Sequence, residues 1–163
     1  MKKPTFLLLL TVLVVLLLSA CSKNGESSEA ADPKLSPQEM VEQLTKQFEQ
    51  PPQTDLEENG VEELYHLDPS LLEAYSIKIP LMNVKTNEVA VLKMKNAKDA
   101  DVVKKGIEQR AADVQKQFET YLPDQYENAK NYQTSVKGNY VFFAIGEQAD
   151  EMVNAFNGLF EAK

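Results

Sequence analysis

Along the chain, apolar and polar positions change period several times, and each change marks an element. The first run, Phe6 to Leu18, is apolar throughout except for Thr11 and has no polar face at all. The next patterned stretch opens at Ser36-Pro37-Gln38-Glu39, where serine as N-cap, proline at the first helical position and glutamate at the third form a capping box. Met40, Val41, Leu44 and Phe48 then make one helical stripe, which Pro51-Pro52 closes. Asp55 to Leu72 is acidic with scattered apolar positions and reads as short helical turns and loop, one turn opening at Asp68-Pro69-Ser70. From Tyr75 the period falls to two: Tyr75, Ile77 and Ile79 alternate with Ser76 and Lys78, the pattern of a half-buried strand. Turn residues between Asn83 and Asn87 lead to a returning strand, Val89 to Met94.

The helical period comes back between Asp99 and Leu122, where Val103, Ile107, Ala111, Val114, Phe118 and Tyr121 recur every three or four residues. Gly106 lies inside this stripe at a cost of about 1 kcal/mol relative to alanine. Pro123 ends the helix or opens a short one through Tyr126 and Ala129. Tyr132 to Lys137 and Tyr140 to Ile145 form a second hairpin around Gly138-Asn139. The last strand is apolar on both faces, so it belongs inside the sheet. A final helix carries Met152, Val153, Phe156, Leu159 and Phe160. The expected fold is α+β: an antiparallel sheet of about four strands in two hairpins, with the long helix and the C-terminal helix packed on one face.

One consequence of that arrangement concerns Tyr140 and Phe142, which share a face of the last strand opposite Val141 and Phe143. With helices on one side only, one pair faces outward as an apolar contact patch. The alternative is that the first helix, Ser36 to Gln50, covers it. Both readings stand on the sequence alone.

The unpatterned N-terminus is an address. Lys2 and Lys3 precede thirteen residues that are too few for a span of about 20, and the layout is that of a secretory signal. Leu18-Ser19-Ala20-Cys21 follows at once and resembles the bacterial lipobox, in which the cysteine thiol accepts a diacylglyceryl group. Cys21 is the only cysteine, so no intramolecular disulfide competes for it. The expected organisation is a signal peptide over 1–20, a lipidated Cys21 with a flexible tether over 21–35, and one domain over 36–163. Ser22 to Leu35, small and charged, has an end-to-end reach of roughly 20 Å. The membrane is thus a partner through the anchor, with the domain on the extracytoplasmic face.

Composition sharpens the picture only here. The chain carries 17 basic and 25 acidic residues, a formal −8; loss of residues 1–20 makes it −10 over 143. That balance argues against nucleic acid, which demands a basic footprint. It also leaves the anchor as the sole attraction to an anionic bilayer.

Candidate chemistry is sparse. His66 is the only histidine, and a surface or loop role outweighs that of a base or ligand. The acids Asp55, Glu57, Glu58, Glu62 and Glu63 lack the spacing of a calcium loop. Arg110 is the only arginine among the 17 basic residues. Its rigid fork suits a carboxylate or phosphate, against the plainer reading of a contact with Asp113 or packing of its stem. No cofactor, metal or catalytic residue is expected, and an enzyme is not.

Tyr75-Ser76-Ile77, Asn83, Glu88-Val89-Ala90-Val91, the helix with Arg110, Tyr121-Leu122-Pro123 and Gly138-Asn139-Tyr140-Val141 together resemble domain-of-unknown-function family 4358. The resemblance spans Glu73 to Phe160 and implies a small bacterial lipoprotein, with no activity and no site residue to carry over. The functional expectation is a non-enzymatic, membrane-anchored binding module for an envelope protein, with Arg110, Tyr140 and Phe142 as contact residues. The alternative is a lipoprotein that binds a small ligand for uptake or sensing.

Overall fold

A computed structural model describes residues 33–161. The expected signal peptide over 1–20, the expected lipidation at Cys21 and the expected tether up to residue 32 lie outside the described residues. Helix α1 (Pro37–Gln47) starts on the expected capping box: the Ser36 hydroxyl accepts from the Glu39 amide while the Glu39 carboxylate accepts from the Ser36 amide. There follow β1 (Gln53–Asp55), α2 (Glu58–Tyr65), β2 (Leu72–Pro80) and β3 (Glu88–Met94). The long helix α3 (Ala100–Phe118), the short α4 (Pro123–Lys130), β4 (Gln133–Lys137), β5 (Tyr140–Ile145) and α5 (Ala149–Gly158) complete the domain.

The fold is α+β, with one antiparallel sheet in the order β1-β2-β3-β5-β4. Both expected hairpins are present. Lys137 pairs with Tyr140, so Gly138 and Asn139 form a two-residue turn, and Gly138 takes the positive φ of 57° that its first position requires. β5 is inside the sheet and buried along its whole length.

Three particulars differ from expectation. Tyr121, expected in the apolar stripe of the long helix, lies in the turn past the end of α3 and is 62 % exposed. The sheet has a fifth strand, β1, whose three residues are too few and too polar to show a period. The helices also divide between both faces. Ala90, Leu92, Val141 and Phe143 point to one side and pack with Val61, Val103, Ile107 and Phe118 of α2 and α3. Val89, Val91, Tyr140 and Phe142 point to the other, under Met40, Val41 and Leu44 of α1 and Met152 and Phe156 of α5. The physical reason is β5 itself: with apolar side chains on both faces it needs a helical layer on each.

α2 and α3 approach closely at Gly106. A Cβ there would come within 2.5 Å of the Tyr65 carbonyl oxygen and 2.6 Å of Leu67 Cδ2. The helix-weakening residue is what lets the two helices touch.

Candidate functional site

The charged centre of the domain is assembled from three elements. Glu88 opens β3 opposite Ile145 of β5, and its place in the strand turns it to the same face as Ala90 and Leu92. Its side chain is 1 % exposed. Arg110 follows Ile107 by three residues and precedes Val114 by four, so the apolar stripe of α3 carries it inward. Its Nε donates to both Glu88 oxygens at 3.1 and 3.2 Å, and Nη2 donates to Oε2 at 2.6 Å. Tyr65, the last residue of α2, is fully buried and donates its hydroxyl to Glu88 Oε1. The carboxylate therefore has donors on both oxygens, the condition under which a charge survives in a core.

Burial pushes the Tyr65 phenol well above its usual range, and the adjacent Glu88 charge pushes it the same way. For Arg110, burial alone would favour loss of the proton; the charge and hydrogen bonds of Glu88 outweigh it, and its pKa is raised.

His66 caps α2 in the left-handed conformation, at φ 54°. That turn swings its ring to α3, where Nε2 lies 2.9 Å from Asp113 Oδ2. The hydrogen bond from His66, followed by that from the Gln109 amide, holds the Asp113 carboxyl below the ordinary aspartate value. This pair is half-exposed and lies one turn of α3 from Arg110.

A cavity of about 150 Å³ adjoins the buried ion pair. Glu88, Thr86, Val114 and Phe118 are its buried wall, and Arg110 and Lys85 are partly exposed within it. Met82, Asn83 and Gln117 form its exposed rim. Thr86 is fixed to α4: its amide donates to Gln125 Oε1 at 3.0 Å, and both residues are buried. Immediately beside the cavity, the β2–β3 loop carries Leu81, Met82 and Val84, which are 62 %, 41 % and 38 % exposed.

The residues proposed from sequence fare differently. Arg110 is a buried partner of Glu88, neither bonded to Asp113 nor simply packed along its stem. Tyr140 and Phe142 are no surface patch: they are 3 % and 0 % exposed, and Phe142 stacks on Phe156 at 4.9 Å between ring centres. The covering by the first helix is the alternative that holds, with α5 joining it. The acidic group is dispersed: Asp55 pairs with Lys78 across β1 and β2, while Glu57, Glu58, Glu62 and Glu63 lie exposed on and before α2. Among the described residues, no group of three or more His, Cys, Asp or Glu side chains is placed to hold a metal.

Glu88 and Tyr65 escaped sequence reasoning. A signal did exist: Arg110 occupies an apolar-stripe position, and Glu88 keeps the alternation of Ala90 and Leu92. A charge on the core side of each element implies that the two meet.

No curated protein and no solved structure matches the chain. Residues 46–146, from the end of α1 to just past β5, match the family described as domain of unknown function (DUF4358). The match starts earlier than the resemblance read from sequence and stops before α5. It covers the sheet, α2, α3, α4 and the Glu88–Arg110 pair, and the chain belongs to this family.

Proposed function

We propose that the protein is a lipid-anchored, extracytoplasmic binding module that docks an envelope protein through the end of the domain formed by the β2–β3 loop. One observation carries the docking surface. Of the six large apolar side chains exposed among the described residues, three fall within Leu81 to Val84. Apolar side chains that remain together in water mark contact sites.

The path of the chain supports the orientation. Leu81 donates its amide to the Pro52 carbonyl, and Gln53 pairs with Pro80, so the segment leaving α1 reaches the loop end. The chain enters the domain at the other end of α1, about 16 Å away at 1.5 Å per residue. A tether fixed at Cys21 thus holds the entry end toward the bilayer and presents the loop outward. The formal −8 of the chain is consistent with a domain kept off anionic lipid.

A photo-crosslinking residue at Met82 in intact cells should give a discrete protein adduct, and the same residue at the exposed Val102 of α3 should not. Absence of an adduct at 82, or identical adducts at both positions, refutes the docking surface. Labelling with radioactive palmitate tests the anchor: the label should be lost in Cys21→Ala, and the protein should then leave the membrane fraction.

A further inference from the structure

We propose that the cavity beneath the β2–β3 loop binds a carboxylate carried on a small apolar body, with Arg110 and Lys85 as its cationic partners. This goes beyond the docking reading, because such a site would take a free acid whether or not a protein docks above it.

The charges come first. Two cations, Lys85 and Arg110, and one anion, Glu88, line the cavity of a chain whose formal charge is −8. Glu88 is already neutralised, with Tyr65 and Arg110 donating to it. The lining therefore retains one positive charge. Asp124 senses Lys85, and its carboxyl accepts from the Gln125 side-chain amide; Lys85 also borders a neighbouring hollow with Glu49 and Glu147, and none of these three acids is part of the lining.

Arg110 also has donors to spare. A guanidinium carries five N–H groups in a rigid plane. Glu88 takes the edge formed by Nε and Nη2. Nη1 donates to no described residue, and it is not among the buried polar atoms cut off from solvent. The edge formed by Nη1 and Nη2 is a second fork of the kind that grips carboxylates in pairs. Because Glu88 holds the first edge, the second is oriented before any ligand arrives, which lowers the cost of binding.

Size and lining supply the rest. About 150 Å³ is the volume of a cavity that accepts benzene. Ile79, Pro80, Val114 and Phe118 give it apolar walls. An unbranched inorganic anion would leave those walls in contact with water, whereas a short branched or aromatic acid would cover them.

The test uses the full chain in a non-ionic detergent, titrated calorimetrically with 4-methylpentanoate and with 4-methylpentanamide, its uncharged counterpart. A second arm uses the tripeptide Ala-Ile-Leu as free acid and as C-terminal amide, which separates a free acid from a chain terminus as the source. At least one acid should bind about tenfold or more tightly than its amide, a difference of about 1.4 kcal/mol. Lys85→Gln should weaken that acid several-fold without changing the melting temperature, and Gln117→Phe at the rim should block it. The preferred acid identifies the source. Equal binding of acid and amide, no binding of either acid up to about 10 mM, or an unchanged affinity in Lys85→Gln would each overturn the proposal. None of these results would alter the crosslinks expected at Met82, so the two readings fail separately.

Discussion

Replacing Arg110 with methionine removes the one cation in contact with Glu88 while keeping the volume of the side-chain stem. Glu88 is 1 % exposed, and the substitution leaves it with Tyr65 as its remaining donor. Breaking a buried pair from one side costs about 3–5 kcal/mol, because the surviving charge is left without compensation. The adjoining cavity admits water to the Arg110 side of the pair, which is 14 % exposed, so the lower part of that range, about 3 kcal/mol, is expected. For a domain of this size, each kcal/mol corresponds to about 3–5 °C, and the melting temperature should fall by about 10–15 °C. Urea unfolding of the wild type, Arg110→Met, Glu88→Gln and the double variant forms a closed cycle. The double variant, with no buried charge left, should recover most of the loss and give a coupling of at least about 2 kcal/mol. A loss below about 1 kcal/mol in Arg110→Met, or additive single effects, would show that the pair contributes no such charge compensation.

Four further expectations follow from the packing and titration. Gly106→Ala gains about 1 kcal/mol of helix propensity but drives a methyl against the Tyr65 carbonyl and Leu67; net destabilisation by about 1–2 kcal/mol is expected in urea, and a stabilised variant would contradict the close approach. Phe142→Ala should cost about 3–5 kcal/mol, since its ring is fully buried against Phe156; a cost near zero would mean that the second face is not packed as described. Asp113 should titrate below an ordinary aspartate by NMR and return toward the ordinary value in His66→Ala. Because its folded pKa is depressed, its contribution to stability is complete above the unfolded aspartate value and is lost as pH falls through the lower folded one. Tyr65 carries the opposite sign: its phenol is raised, so stability should fall as pH climbs above the ordinary tyrosine range, and Tyr65→Phe should remove that part of the slope.

The elements were legible in the sequence wherever a local pattern is sufficient to define them. The Ser36–Glu39 box, the α3 stripe from Val103 to Phe118 and both hairpins rest on residues within a few positions of one another, and each formed as read. The split of the helices between two faces was not legible. A stripe such as Met40, Val41 and Leu44 shows that a helix has an apolar side, but not which face of the sheet it meets. The doubly apolar β5 held the answer, since a face bearing Tyr140 and Phe142 must be covered by something. The buried pair was harder still. Glu88 is one of 25 acids, and its partner lies 22 positions away, so only the combined alternation of β3 and periodicity of α3 reveals that they meet. The β2–β3 loop is in the same class: Leu81, Met82 and Val84 look like ordinary core residues until the strands beside them are filled.

The two helices that cover the second face both fall beyond the family match: α1 overlaps it by two residues, and α5 begins after it ends. The part that matches the family is therefore a two-layer body, and the third layer comes from opposite termini that meet over Phe142. For a chain synthesised N-terminus first, that face stays open until α5 has emerged. A chain cut short at residue 146 would present Tyr140, Phe142 and Ala144 under α1 alone, as a sticky surface seeking the missing helix from a neighbour. Supplying residues 147–161 as a separate peptide would then be a route to complementation, in which the last helix acts as a detachable lid for half of the sheet.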